Sequence, residues 1–316
     1  MGEGDSRKWM LWWWGAVLGG AALAFGLLYA VIVVGNPFGT VIFLAAPFIH
    51  GASVAYTIKR TNSSGSLGVL GGVVVSCILL VWLLLLTAGE GVFCVLTAAP
   101  IWLICTIMGS FIGKSLAGAK YGTPVLFCAM PLVLLTTIRV DQINVPAERL
   151  VETSIIIDAS PEEIWPLLFN LSNLGEPDTW YFRAGVACPM GTKSEIEENS
   201  RTCILTTGKM RETITLMRPG KVVRWRVDYT PPTMREWNPF GTPNPKHLTE
   251  SFRVLEGGFE MQGLSDGKTR LRGWTTYKSE VAPDIYWNLW NSMIVRDVQR
   301  RVMTEIANQA RSKTTP

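Results

Sequence analysis

Between Trp9 and Ile58 the chain has no Asp, Glu, Lys or Arg. Crossing the hydrocarbon core takes about 20 apolar residues, so this run holds two passes, with the turn "GNPFG" (35–39) between them. Backbone groups that enter lipid must be satisfied within the segment, which makes each pass a helix. Three more apolar stretches follow, and the predicted spans are 10–34, 39–58, 67–87, 92–113 and 123–138. The first is too long, and lacks the small-residue cleavage site, for a removed signal peptide. It opens on "WMLWWWG" (9–15), which puts Trp9, Trp12, Trp13 and Trp14 where amphipathic rings favour the headgroup level.

The basic residues flanking these spans set the orientation. Arg7 and Lys8 precede the first, Lys59 and Arg60 lie in the second loop, and Lys114 and Lys120 lie in the fourth; the third loop holds only Glu90. With five spans every basic cluster is cytoplasmic, the N-terminus is inside and whatever follows residue 138 is outside. Span 123–138 is short and contains Pro131. Read as a re-entrant or interfacial helix, it would leave four spans and a cytoplasmic C-terminal region.

Three G-x-x-x-G pairs, Gly15/Gly19, Gly68/Gly72 and Gly109/Gly113, permit close helix approach. Glycine is common enough in membrane helices that no more is read into them. His50 is the one strongly polar side chain at membrane depth. It has no ionisable partner in another span, so a hydrogen bond to a nearby carbonyl is the expectation, and a proton or ion path is not.

Residues 1–140 carry seven Lys/Arg and three Asp/Glu of the chain's 29 and 25, which leaves 22 of each sign for the rest. A neutral C-terminal half without basic runs excludes the phosphate attraction on which nucleic-acid binding depends. After a linker at 141–149 the pattern changes to that of a soluble domain over 150–312. "LVETSIIID" alternates as a strand does, and "ASPEEIW" starts a helix with Ser160 as N-cap, Pro161 at the first helical position and Glu163 closing a capping box. Strands are predicted at 184–190, 192–198, 200–207, 210–217, 220–229, 249–256, 257–263 and 268–279, with turns at "EENS", "RPG", "LEGG" and "SDGK". A long helix from Pro283 to about Ser312 closes the domain, with an apolar stripe of Trp287, Trp290, Ile294, Val298, Val302 and Ile306.

The fold class is therefore an α-helical transmembrane bundle followed by an α+β helix-grip domain, a curved antiparallel sheet around a long C-terminal helix. On "SIIIDASPEEIWPLL", "TRLRGWTTYKSEVAP" and "YWNLWNSMIVRDVQRRVMTEI", residues 145 to 312 resemble the Bet v 1-like/START superfamily, which includes the polyketide cyclase/dehydrase (SRPBCC) and lipid-transport proteins. The chain is similar to multi-spanning bacterial proteins that append such a domain to an anchor, which implies a bacterial plasma membrane. The resemblance implies a pocket for a hydrophobic ligand. It does not imply one reaction, since members bind sterols, phospholipids, polyketides or plant metabolites and only some are enzymes.

Residues 230–249, "TPPTMREWNPFGTPNPKHLT", contain five prolines and fit neither helix nor strand. Long unstructured loops with aromatic residues such as Trp237 and Phe240 are usually functional, and this one reads as a lid over the cavity or as a surface that touches membrane or partner. His247 and Glu236 are the candidates for acid–base work. No Ser-His-Asp or Cys-His set is recognisable, and one histidine builds no zinc site, so neither metal nor cofactor is expected. Trp180, Tyr181 and Arg183 fall near the expected cavity entrance, where Arg183 would meet a ligand's anionic group or pair with Glu176 or Asp178. Trp225, Trp274, Tyr277, Tyr286, Trp287 and Trp290 are candidates for the cavity wall or for ordinary core. Cys77, Cys94, Cys105 and Cys128 lie in spans; Cys188 and Cys203 lie in the domain, where a disulfide is conceivable although "EENS" is centred too late to set them opposite.

Three functions stay open: a membrane-anchored module that binds, senses or transfers an apolar or amphipathic molecule; a tethered cyclase/dehydrase- or hydrolase-type enzyme; and an interaction element with no open cavity. The expected partners are a hydrophobic small molecule or lipid and the membrane, with a membrane-protein partner or a second copy of the chain also open.

Overall fold

A computed structural model describes residues 3–34, 39–61, 65–87, 89–143, 146–172, 174–243, 245 and 247–314. The chain divides into two compact units, Met1–Val145 with Trp237–Pro245, and Pro146–Glu236 with Lys246–Pro316.

The first unit is helical. It contains α1 (Glu3–Val34), a π-helical turn (Val41–Ala45) leading into α2 (Ala46–Thr61), α3 (Ser66–Leu86), α4 (Val92–Ala117) and α5 (Gly122–Ile143). Five of its helical stretches are long and apolar enough to cross a membrane. Pro131 lies inside α5 without ending it, and at 1.5 Å per residue its 22 residues reach about 33 Å. Positions 35–38 of the predicted first turn lie outside the described residues.

Helices α2 and α4 meet backbone to backbone. A Cβ on Gly109 would collide with the carbonyl of Phe48, and one on Gly113 with the carbonyl of Ala52. Of the three G-x-x-x-G pairs, this one makes a backbone-to-backbone crossing; Gly72 lies under the side chains of Ile58 and Trp13, and Gly15 and Gly19 face nothing within 4 Å. His50 is fully buried, with Nε2 2.8 Å from Ser76 Oγ, and Ser76 Oγ donates to Val17 O at 3.0 Å. A serine hydroxyl has one proton, and Val17 takes it, so His50 Nε2 is the donor in their pair. The polar contact thus ties α1, α2 and α3 together through a hydroxyl relay, where a direct bond to a carbonyl was expected.

Hydrogen bonds also mark the two ends of this helical unit. Thr40 Oγ1 donates to Asp141, joining the start of the second long apolar segment to the end of α5. At the α3–α4 turn, Asn238 Nδ2 donates to Leu85 O (2.9 Å) and Glu90 O (2.8 Å), and Val92 N donates to Trp237 O (2.9 Å). Phe240 packs on Trp82 with ring centres 5.8 Å apart. Lys114 Nζ donates to Ser66 Oγ at 2.7 Å between the α4 and α3 ends nearest the other turns.

The second unit is a curved seven-stranded antiparallel sheet in the order β1-β7-β6-β5-β4-β3-β2, closed by a C-terminal helix. Its strands are β1 (Glu148–Ile157), β2 (Pro189–Glu195), β3 (Ser200–Leu205), β4 (Gly208–Arg218), β5 (Val222–Tyr229), β6 (Phe252–Gly263) and β7 (Thr269–Ser279). After β1, the capping box of Ser160 and Glu163 starts the one-turn α6 (Pro161–Ile164), which passes into a 3-10 turn at Trp165–Leu168. Two further single turns, α7 (Trp180–Arg183) and α8 (His247–Glu250), precede the long α9 (Asp284–Thr314).

Two strand expectations change. Residues 184–190 do not form one strand: Val186 makes an isolated bridge to Met234, and Ala187 N donates to Thr233 O at 2.8 Å. The glycines of "LEGG" make no turn, since β6 runs straight through them with an irregularity between Val254 and Glu256. Their missing side chains leave room for two tryptophans. A Cβ on Gly257 would lie 3.1 Å from the Trp225 ring on one face, and a Cβ on Gly258 would overlap the Trp274 ring on the other.

Helix α9 lies on the sheet face that carries Leu271, Phe259, Val223, Trp225 and Ile214, and buries Val302, Met303, Ile306, Ala307 and Ala310 against it. Its buried seam also includes Val295 and Gln299, and Trp287, Trp290, Ile294 and Val298 stay half-buried beside it. The rotation relative to the predicted stripe has a polar cause. Gln299 accepts from Thr153 Oγ1 (2.6 Å) and donates to Val151 O (3.0 Å) and Thr275 Oγ1 (2.9 Å), satisfying β1 and β7 at once.

Candidate functional site

The concave face carries one charged pair in its apolar interior. Arg201 of β3 stands opposite Glu212 of β4 in the ladder, and the guanidinium Nη1 donates to a Glu212 carboxylate oxygen. Both side chains are almost completely buried. The Arg201 guanidinium lies 4.0 Å from the centre of the Trp225 ring, a cation–π contact in a desolvated setting. Cys203, two residues along β3 and on the same face, is also buried. Burial, with Glu212 nearby, pushes its thiol up to about 12, so it is a neutral small hydrophobe at pH 7. Burial likewise lifts the Glu212 carboxyl above its ordinary range against the pull of Arg201.

Two polar atoms of this pair have no hydrogen-bond partner, Arg201 Nε and Glu212 Oε1. Leaving buried polar atoms unpaired costs roughly 1–3 kcal/mol each, so a group that met these two would gain by the contact. One is a donor and the other an acceptor. The ion pair is neutral as a unit, so it offers a neutral group one bond in each direction. Trp225, which the guanidinium covers, packs on Phe259 with ring centres 5.5 Å apart, in a cluster with Met261, Met303 and Ile306 that fills the space between sheet and helix. Methionine side chains repack readily around a guest.

Most aromatic candidates from the sequence lie elsewhere. Trp225 sits at the pair, and Tyr277 is fully buried on the same sheet face, its hydroxyl donating to Asn288 Oδ1 at 2.6 Å and 3.0 Å from Ser292 Oγ. Trp274 lies on the other face: Gly273 beside it faces Met303 of α9, so the pleat turns Trp274 outward, over Gly258 and 5.8 Å from the Arg224 guanidinium. Tyr181 is buried and donates to Asp297 of α9; burial and that carboxylate hold its phenol well above the ordinary range. Trp180 is exposed. Arg183 Nε donates to Pro177 O at 2.9 Å, and Asp178 pairs with Arg301 instead. Tyr286, Trp287 and Trp290 stand half-buried on the first turns of α9.

Trp237 belongs to the helical unit. Glu236 is buried, and His247 opens α8; burial pushes the His247 imidazole down to about 3, so it is neutral at pH 7. Cys188 and Cys203 are free thiols. The ladder sets them out of register: Cys203 pairs with Thr192, and the backbone of Cys188 bonds Thr206, three residues beyond Cys203 and just past the end of β3. A separate surface cleft of 490 Å³ is lined by residues that include Pro161, Glu162, Arg218, Lys221 and Glu260. It holds no member of the interior pair.

Neither Arg201 nor Glu212 was nominated from the sequence. The available signal was phase: in "SRTCIL" an arginine occupies the inward position that it shares with Cys203.

No protein-family model matches the chain, and no curated protein matches it. Among solved structures, it is similar to a structural-genomics protein of Nitrosospira multiformis (TM-score 0.34, 13% identity, covering 53% of this chain and 100% of that one). It is also similar to a protein of Mesorhizobium loti (TM-score 0.33, 13% identity, 53% and 100%). A third is a norcoclaurine synthase point mutant of Thalictrum in complex with a transition-state analogue (TM-score 0.31, 8% identity, 54% and 99%). Likeness of this extent bears on neither ligand nor activity.

Proposed function

We propose that the chain is a membrane-anchored receptor or carrier whose C-terminal helix-grip unit holds an amphipathic molecule, its apolar body against the concave face and its head on Arg201 and Glu212. The observation that carries this reading is the pair of unused hydrogen-bonding atoms, Arg201 Nε and Glu212 Oε1, inside an otherwise apolar interior. A head that both accepts and donates satisfies both, as a hydroxyl, an amide or a protonated carboxylic acid does. A full anion or cation does not suit the pair, because each charge already has its counter-ion and a third buried charge would be unpaired. A binding series tests this on the full chain, with one alkyl tail and a head that is neutral or permanently charged. The neutral heads bind, and the charged ones bind more weakly, by about tenfold or more.

The closed-interior reading has its own support, since the chain's own side chains fill the space between sheet and helix. Under that reading no member of the series binds.

Membrane anchoring is supported by the surface of the helical unit, which exposes Leu67, Phe111, Phe127, Leu132 and many other large apolar side chains. Contiguous apolar surface on that scale is not found facing water. Crossing all five helices would put the α3–α4 turn and the end of α5 on one side, and Asn238 and Thr40 make their hydrogen bonds at those ends. With basic loops inside, that side is outside, and the C-terminal unit goes with it. An impermeant amine reagent applied to intact cells is expected to label Lys193 and Lys209 and to spare Lys59 and Lys114. The reverse pattern would refute this orientation.

A further inference from the structure

Three large apolar side chains line one side of α9 at its start. Ile285 is 83% exposed, Leu289 70% and Met293 37%. Their spacing of four residues puts them on one helix face, next to Tyr286, Trp287 and Trp290. That face is separate from the seam of Val295, Gln299, Val302 and Ile306 that packs on the sheet. A soluble domain gains nothing from displaying such a stripe, and its position in the chain indicates what covers it.

Helix α5 ends at Ile143 and β1 begins at Glu148. Five residue steps reach at most about 18 Å when fully extended. Arg149, the second residue of β1, is ion-paired with Asp284, the first residue of α9. The start of α9 is therefore fastened to the first residues of β1, which follow the last apolar helix in the chain. Tyr and Trp beside exposed aliphatic side chains are the composition of a helix face that sits at the headgroup level.

We propose that the first turns of α9 rest in the interface of the same membrane, with Ile285, Leu289 and Met293 dipping into the acyl boundary. This inference rests on the helical unit spanning that membrane, but it needs no ligand in the grip. It gives α9, the helix that closes the interior, direct contact with lipid.

The test uses the full chain in vesicles of phosphatidylethanolamine and phosphatidylglycerol, with a photo-crosslinking phenylalanine analogue placed in turn at positions 289, 127 and 196. Phe127 lies exposed on α5, and Ile196 is exposed in the turn after β2, at the other edge of the sheet. After illumination, mass spectrometry is expected to find lipid adducts at 289 and 127 and none at 196. Adducts at 127 alone would overturn the inference and leave the anchor intact. No adduct at 127 would overturn the spanning reading on which the inference rests. Crosslinks from 289 to protein alone would assign the stripe to a protein partner and reject lipid.

Discussion

Arg201→Ala is expected to destabilise the C-terminal unit by about 3–5 kcal/mol, because it leaves the Glu212 carboxylate buried without its counter-charge. Glu212 is 3% exposed and Arg201 4%, so water cannot replace the lost partner at either position. The substitution also removes the guanidinium from the Trp225 ring. Removing both charges together has a different outcome. An Arg201→Met/Glu212→Leu double variant is expected to melt close to the unmodified chain or above it, since apolar side chains of similar volume often replace a buried ion pair without loss. Thermal melts of the full chain, with the single and double variants side by side, check this. If the double variant is as unstable as the single one, the pair serves stability and the ligand account loses its footing. A stable double variant means that the chain keeps a costly pair for some use other than folding.

Gly258→Ala is the second large effect. The added Cβ would overlap the Trp274 ring and lie 2.6 Å from the Val223 carbonyl oxygen of the neighbouring strand. Overpacking of this kind costs typically 1–3 kcal/mol and sometimes more. Trimming the ring with Trp274→Leu should recover part of the loss and no more, because the Val223 backbone cannot move aside. The measurable quantity is the coupling energy from the two single variants and the double. A coupling of zero would mean that Trp274 does not lie over Gly258, and would undo the account of why β6 carries paired glycines in mid-strand.

These two positions also show how far the sequence could be read. The glycines of "LEGG" carry the signature of a turn, and only the tryptophans of β5 and β7 reveal that they are notches in a continuous strand. Nothing local in the sequence distinguishes the two cases. Arg201 and Glu212 were missed for a related reason. Pairing 201 with 212 requires the hairpin to turn at Thr206 and Thr207, and "TTGK" is a weaker turn signal than "EENS" or "SDGK". The capping box at Ser160 was legible because its partners are three residues apart and its chemistry is local. The long terminal helix was legible from its period, but its buried face was not. Apolarity nominated Trp287 and Trp290, whereas the sheet needed Gln299 to satisfy Thr153, Thr275 and the Val151 carbonyl. Long-range polar requirements set that face, and a helical pattern does not encode them.

The five long apolar helices were legible as helices, since hydropathy and length are properties of each segment alone. Pro131 raised doubt about the fifth, and α5 nevertheless runs unbroken through it. What Trp237 and Asn238 do at the α3–α4 turn could not be anticipated, because the contact joins positions some 150 residues apart.

The most direct test of the central claim is native mass spectrometry of the full chain, released from micelles, with four ligands that share one long alkyl tail. Two heads are neutral, a primary alcohol and a primary amide, and two are permanently charged, a trimethylammonium and a sulfonate. The account predicts one bound molecule of the alcohol or amide, about tenfold or more weaker binding of both charged forms for one unmet buried bond, and loss of the preference in the Arg201→Met/Glu212→Leu variant. Equal binding of all four, or a preference for a charged head that survives the double substitution, would contradict it.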